Sequence, residues 1–170
     1  WLEERLPTLP SLRYSDPDLK AQQYSGEINQ LAIAHIREML SQTLSFSDED
    51  FTAWFGRFSS EPKENLTPPP LEDHITETTL LQQLQQGSQL CRHPFSKLLF
   101  SRLPESLQLF ASGESFIMTT DSLDLAVLLS ETHHYSLRQL QPWLQRPRCL
   151  TLLTDLINRG DLLITKESHK

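Results

Sequence analysis

With 170 residues, 38% of them hydrophobic and 22% charged, the chain suits one domain or two small ones with modest cores. A net charge of −7 argues against broad, nonspecific adhesion to nucleic acid or anionic membranes. Cys91 and Cys149 stand far apart with no C-x-x-C pattern, which argues against a disulfide framework and for reduced thiols in a cytoplasmic protein.

The chain opens on Trp1 and Leu2 and reads as the tail of a helix stopped by Pro7 and Pro10, and so as a piece of a longer polypeptide. No signal peptide is expected there, and no apolar run reaches the roughly 20 residues needed to cross a bilayer. YSDPD at 14–18 is a turn-rich connector, because the residue before proline avoids helix and both aspartates suit Asx turns. The next helix is expected over 27–41, where Ile28, Leu31, Ile36, Met39 and Leu40 belong to a wide apolar stripe. A strongly signalled helix follows. Ser47 stands at its N-cap with Asp50 completing an S-x-x-D box, and Phe46 and Phe51 take the positions of a hydrophobic staple. Phe51, Trp54, Phe55 and Phe58 recur at i, i+3, i+4 and i+7, which stacks four aromatic rings on one face. SSEP and then Pro68-Pro69-Pro70 end the helix. The expected organisation is a small helical dimerisation module over 1–66 and a Pro-rich linker over 67–71. Ile36, Met39, Phe51, Trp54, Phe55 and Phe58 are the candidate homodimer interface, although the aromatic face reads equally as bundle core.

Beyond the linker, 77–86 is helical by pattern, with Leu80, Leu81 and Leu84 inward and Gly87 at C′. Apolar runs at 90–92, 97–103 and 107–111 precede Ser112-Gly113 and 114–118, the pattern of a hairpin with a tight glycine turn. Thr120 or Asp121 is the expected cap of a helix through 123–129, and 133–135 a short strand or extended link. Ser136 caps 137–144, and Pro147 or Arg148 opens a last helix that Asn158-Arg159-Gly160 stops before a strand over 161–165. Two short helices joined by a tight turn and closed by a strand resemble a winged helix-turn-helix, here over 72–170. The class is therefore α+β, mainly α: a helical bundle followed by a winged-helix-like module.

Catalytic and metal chemistry find few residues to use. None of the six histidines is followed two positions on by an acid, the usual opening of a two-His-one-carboxylate iron site. His133 and His134 are adjacent, and neighbours on a strand point to opposite faces. No G-x-S-x-G, P-loop or G-x-G-x-x-G occurs. The pairs Asp48/Asp50 and Glu72/Asp73 sit at helix starts, where the dipole favours negative charge. Residues 136–170 carry twice as many basic as acidic side chains, and Arg146, Arg148 and Arg159 flank the last helix as a candidate polar contact surface. Leu150, Leu152, Leu153, Leu156 and Ile157 fill most of that helix, which leaves few positions for base edges. Nucleic acid is therefore disfavoured as a partner. A winged-helix nucleic-acid-binding or protein-interaction adaptor is the alternative to an assembly role.

Taken in order, YSDPD, DFTAWFGRFSSEP, the triple proline, LLQQLQQG, LQLFASGESF and LTLLTDLINRG resemble the C-terminal half of the bacterial JmjC-type ribosomal oxygenases, the YcfD/RoxA family of cupin-fold arginyl hydroxylases. The resemblance covers essentially the whole chain, and YSDPD and WFGRF are its most specific parts. It implies a parent with an N-terminal cupin catalytic module, a helical dimerisation module and a C-terminal winged helix. Such a parent uses Fe(II) and 2-oxoglutarate to hydroxylate an arginine of a large-subunit ribosomal protein. The iron and 2-oxoglutarate ligands belong to the catalytic module, which is absent from this sequence. No catalytic, cofactor-binding or metal residue carries over, and no cofactor is expected on this segment. The implied role is homodimerisation and scaffolding of the ribosomal substrate's approach.

Overall fold

The computed structural model describes residues 37–38, 47–63 and 66–166. The expectations placed on 1–36 and 39–46, including those for Ile36 and Met39, lie outside the described residues, and Arg37 and Glu38 are helical and exposed. The chain divides into two compact units, Trp1–Phe51 and Thr52–Lys170. The boundary falls inside α1 (Asp48–Ser60). At its start the Ser47 hydroxyl accepts from the Asp50 N–H at 3.1 Å and the Ser47 carbonyl accepts from the Phe51 N–H at 3.1 Å. Donors that no helix can satisfy internally are thereby paired.

In the second unit α1 leads past the prolines to α2 (Glu77–Gln85) and four strands, β1 (Ser88–Arg92), β2 (Leu98–Arg102), β3 (Leu107–Ala111) and β4 (Glu114–Met118). A 3-10 turn at Thr120–Ser122 runs into α3 (Leu123–Glu131), then β5 (His134–Tyr135), α4 (Leu137–Leu144), α5 (Pro147–Asn158) and β6 (Leu162–Lys166). The hairpin expected at Ser112-Gly113 is present. Both residues have positive φ, 46° and 81°, the conformation a two-residue turn needs to match strand twist. It registers Ala111 opposite Glu114 and Leu109 opposite Phe116, in a meander ordered β2-β3-β4.

The second sheet has the order β5-β1-β6. β1 lies antiparallel to both neighbours, with Leu90 opposite Tyr135 on one side and Ile164 on the other. Its central strand therefore comes from ahead of the helix-turn-helix, and β1 and β6 are not joined by a hairpin. Leu80, Leu84, Leu90, Leu125, Leu129, Leu140, Leu153 and Leu156 meet as the fully buried core between this sheet and the helices. Leu81, expected inward, is only half-buried.

Helix α4 starts where expected: the Ser136 hydroxyl accepts from the Gln139 N–H, and the Gln139 side chain accepts from the Ser136 N–H, a reciprocal capping box. The start of α3 differs from expectation. Neither Thr120 nor Asp121 caps it: the cap position is Ser122, which makes no side-chain cap hydrogen bond, while the Asp121 carboxylate is engaged by Thr119 and Arg146. The last strand begins at Leu162, one residue after the pattern suggested.

Tyr135 is wholly buried and its hydroxyl lies 2.9 Å from the Leu129 carbonyl and 2.8 Å from that of Thr132. Its one proton is thus shared between two carbonyls at the end of α3. Burial pushes its pKa up to about 12. Its folded value lies above the unfolded one, so the stability it contributes is complete below about pH 10 and is lost between about pH 10 and pH 12. Denaturant titrations should show stability falling across that window by about 2–3 kcal/mol. Tyr135→Phe should abolish the fall.

Candidate interaction site

Helix α1 seats itself with small residues and turns its large ones away. Gly56 and Ser60 are buried, and a Cβ at Gly56 would lie 2.4 Å from the ring of Phe110 on β3. The Ser60 hydroxyl accepts from the Gly113 N–H at 3.2 Å and donates to the Arg57 carbonyl at 3.0 Å. On the other flank Lys97 reaches the Ser59 carbonyl at 3.5 Å. Rotation by 100° per residue then sends the aromatic stripe outward. Phe51 is 46%, Phe55 54% and Phe58 61% exposed, whereas Trp54 is half-buried. Trp54 stacks on Phe58 with centroids 5.4 Å apart and planes 14° apart, and Phe55 leans against it at 6.4 Å. The other exposed large apolar side chains among the described residues are Leu66, Phe95, Leu99 and Ile117. None lies in the helix-turn-helix.

The three candidate arginines do not form one surface. Arg146 and Arg148 stand at the start of α5 and Arg159 at its end, about 18 Å away at helical rise. Arg146 is engaged by Asp121 at 2.8 Å and lies 4.8 Å over the Trp143 ring. The Thr119 hydroxyl first, and then this guanidinium, hold the Asp121 carboxyl below the usual carboxylate range. Arg159 lies between Glu114 at 3.9 Å and Asp161 at 3.8 Å, over the ring of Phe116. Arg148 is exposed beside a recess of about 30 Å3 that it lines with Ile117 and Leu152, room for a water or two. The outward face of α5 otherwise shows Thr151 and Asp155, and the Thr151 hydroxyl donates to Glu77 at 2.6 Å.

Asn158, Gly160 and Asp161, by pattern a helix stop and the first residue of a strand, carry a tertiary role that their sequence does not announce. They close α5 in a Schellman motif: the Gly160 N–H bonds the Ile157 carbonyl at 2.9 Å and the Asp161 N–H that of Leu156 at 2.8 Å. The Asp161 side chain is fully buried and its Oδ1 accepts from Ser96 at 2.7 Å and Ser112 at 2.5 Å. It therefore ties the end of α5 to the β1–β2 loop and the β3–β4 turn. An acid following a helix-stop glycine was the only visible signal, and on a linear sequence it looks like surface.

A helix-turn-helix closed by a three-stranded sheet, with a meander and an outward aromatic helix ahead of it, defines an α+β winged-helix protein. The chain belongs to the ROXA-like winged helix family, whose model matches residues 36–162. It is similar to a curated relative, ribosomal protein uL16 3-hydroxylase of Escherichia coli (strain K12), at 26% identity over 149 residues, 86% of this chain and 38% of the relative. The solved structure of Escherichia coli ribosomal oxygenase YcfD shares the fold with a TM-score of 0.70 at 23% identity, over 96% of this chain and 44% of that one. YcfD in complex with cobalt and 2-oxoglutarate gives a TM-score of 0.68 at 23% identity, over 95% of this chain and 43% of that one. The chain spans less than half the length of the relatives it matches. Among the described residues no three His, Cys, Asp or Glu side chains converge on a metal-sized site. No helix among the described residues is long and apolar enough to cross a membrane.

Proposed function

We propose that this chain is the non-catalytic C-terminal part of a cytoplasmic Fe(II)- and 2-oxoglutarate-dependent ribosomal oxygenase, in which it mediates homodimerisation. The parent would hydroxylate an arginine of a large-subunit ribosomal protein, and the dimer would hold two catalytic modules in fixed relation and shape the substrate's approach. The observation that carries the assembly role is the way α1 is mounted. Gly56 and Ser60 face the sheet, so Phe55 and Phe58 stay more than half exposed, an arrangement that gains free energy when a second surface covers it. Similarity to ribosomal protein uL16 3-hydroxylase supports the parent activity.

The alternative, a nucleic-acid-binding adaptor, meets a charge problem. The outward face of α5 carries Asp155, with Glu77 beside Thr151 and Arg148 as its exposed base, and phosphates are repelled by such carboxylates.

Light scattering on the chain should give about twice 19.6 kDa. Phe58→Glu, at a 61% exposed position, should halve that mass with the circular dichroism unchanged, since a surface charge costs little stability. A wild-type monomer at tens of micromolar would remove the assembly role. Salt-dependent binding to duplex DNA or ribosomal RNA, lost in Arg146/Arg148→Ala, would favour the adaptor instead.

A further inference from the structure

We infer that the proline strap between α1 and the winged helix is a clasp, with Asn158 and Gly160 as its catch, so that the aromatic helix from Thr52 onward and the winged helix move as one rigid body. The strap has the composition of a linker, and three successive prolines leave it without N–H donors of its own there. Its anchoring therefore has to come from its flanks and from close approach, and both are present. The Leu71 N–H bonds the Asn158 carbonyl at 2.9 Å. The Ile75 N–H bonds Asn158 Oδ1 at 2.8 Å, and Asn158 Nδ2 donates to the Ile75 carbonyl at 3.1 Å. One side chain thus closes a two-bond bridge to the backbone just beyond the strap, as a neighbouring strand would.

Gly160 makes the approach possible. Its φ of 83° suits glycine, and a Cβ there would fall 2.1 Å from the Pro69 carbonyl oxygen and 2.9 Å from its carbon. Backbone cannot move aside as a side chain can. Pro68 is buried at this contact, so the strap packs as well as bonds. The same four-residue turn also grips the seat of α1: Asp161 holds Ser112, and the adjacent Gly113 donates to Ser60 of α1. The C-terminal end of the strap therefore closes onto residues 158–161 directly, and its α1 end does so through the Ser112-Gly113 turn. A surface docked on Phe55 and Phe58 would then set the orientation of the winged helix as well. Breaking the catch would release the strap and leave α1 held to the sheet only through its own contacts at Gly56 and Ser60.

The test is amide hydrogen exchange by NMR on the full chain, joined to spin-label distances between Arg57→Cys on α1 and Arg138→Cys on α4 in a Cys91→Ser background. In the otherwise unaltered chain the Leu71 and Ile75 amides should be strongly protected and the distance distribution narrow. Asn158→Ala and Gly160→Ala should each speed exchange at those two amides about tenfold or more, the scale of one or two buried hydrogen bonds. They should also broaden the distances and leave the Leu153 amide unchanged. Should either variant lose protection at Leu153 as well, Asn158→Asp, which keeps the acceptor for the Ile75 N–H and sets a carboxylate oxygen against the Ile75 carbonyl in place of the donor, takes its place with faster exchange at Ile75 expected. Unprotected Leu71 and Ile75 amides in the parent chain, a broad distribution there, or variants that change neither readout would each overturn the clasp.

Discussion

Asp161→Ala is expected to destabilise the second unit by about 3–5 kcal/mol, since two hydrogen bonds to a charged group are lost. The carboxylate is wholly buried, its Oδ1 takes the hydroxyls of Ser96 and Ser112, and its Oδ2 faces Arg159 at 3.8 Å. Alanine leaves the hydroxyl of Ser96, itself 6% exposed, without its acceptor. Such a loss is a large share of the roughly 5–15 kcal/mol that holds a domain together, and the melting temperature should drop by about 10 °C or more. Asp161→Asn keeps an oxygen for the two serines and forfeits only the charge, so it should lose about half as much. Equal effects from the two variants would mean that the charge opposite Arg159 matters and the serine bonds do not.

Gly56→Val should lift α1 off the sheet while the winged helix stays folded. Elsewhere in a helix, replacing glycine adds helix propensity, up to about 1 kcal/mol for alanine. Here the added Cβ would meet three atoms of the Phe110 ring at 2.4–2.5 Å, and that ring is itself only 2% exposed. An aromatic ring packed under a helix has no flexible end to swing aside, so overpacking of this kind costs about 1–3 kcal/mol, more with a branched side chain. Tryptic cleavage after Arg57, an exposed residue, should accelerate about tenfold or more if the local opening shifts by that amount. The thermal transition of the leucine core should shift far less. Unchanged cleavage would mean that α1 is not seated through Gly56.

The contrast between these two sites explains what was legible in the chain. Features set within a few residues were readable because local backbone chemistry decides them. The Ser47 cap, the Ser136 capping box, the Ser112-Gly113 turn and the helix stop at Gly160 all fall where their residue types demand. Where two local signals compete, position slips. Asp121 looks like a helix cap, yet Arg146, 25 residues away, and Thr119 engage its carboxylate, and α3 starts without a side-chain cap.

The aromatic stripe shows the limit more sharply. Its periodicity establishes one face of Phe51, Trp54, Phe55 and Phe58, but periodicity has no sign and cannot say whether that face points in or out. The small residues opposite, Gly56 and Ser60, carry the answer only once Phe110 and Gly113 are placed beneath them. The arginines behave likewise: Arg146 and Arg148 stand at the start of a helix of 12 residues and Arg159 at its end, so residues that flank one element do not make one surface.

By itself the sequence determined the helices from α1 to α5 and their order, the β3–β4 hairpin, the helix-turn-helix and the resemblance to ribosomal oxygenases. These follow from local periodicity, capping and turn chemistry, which act over one or two helical turns. Only the tertiary structure decided that β1 supplies the middle of the closing sheet, that α1 turns its rings outward, and that residues 158–161 hold the strap and the β3–β4 turn together. Each of those depends on partners far apart along the chain. A buried carboxylate or a glycine without room for a methyl group is set by what packs against it, and that is not written in its neighbours.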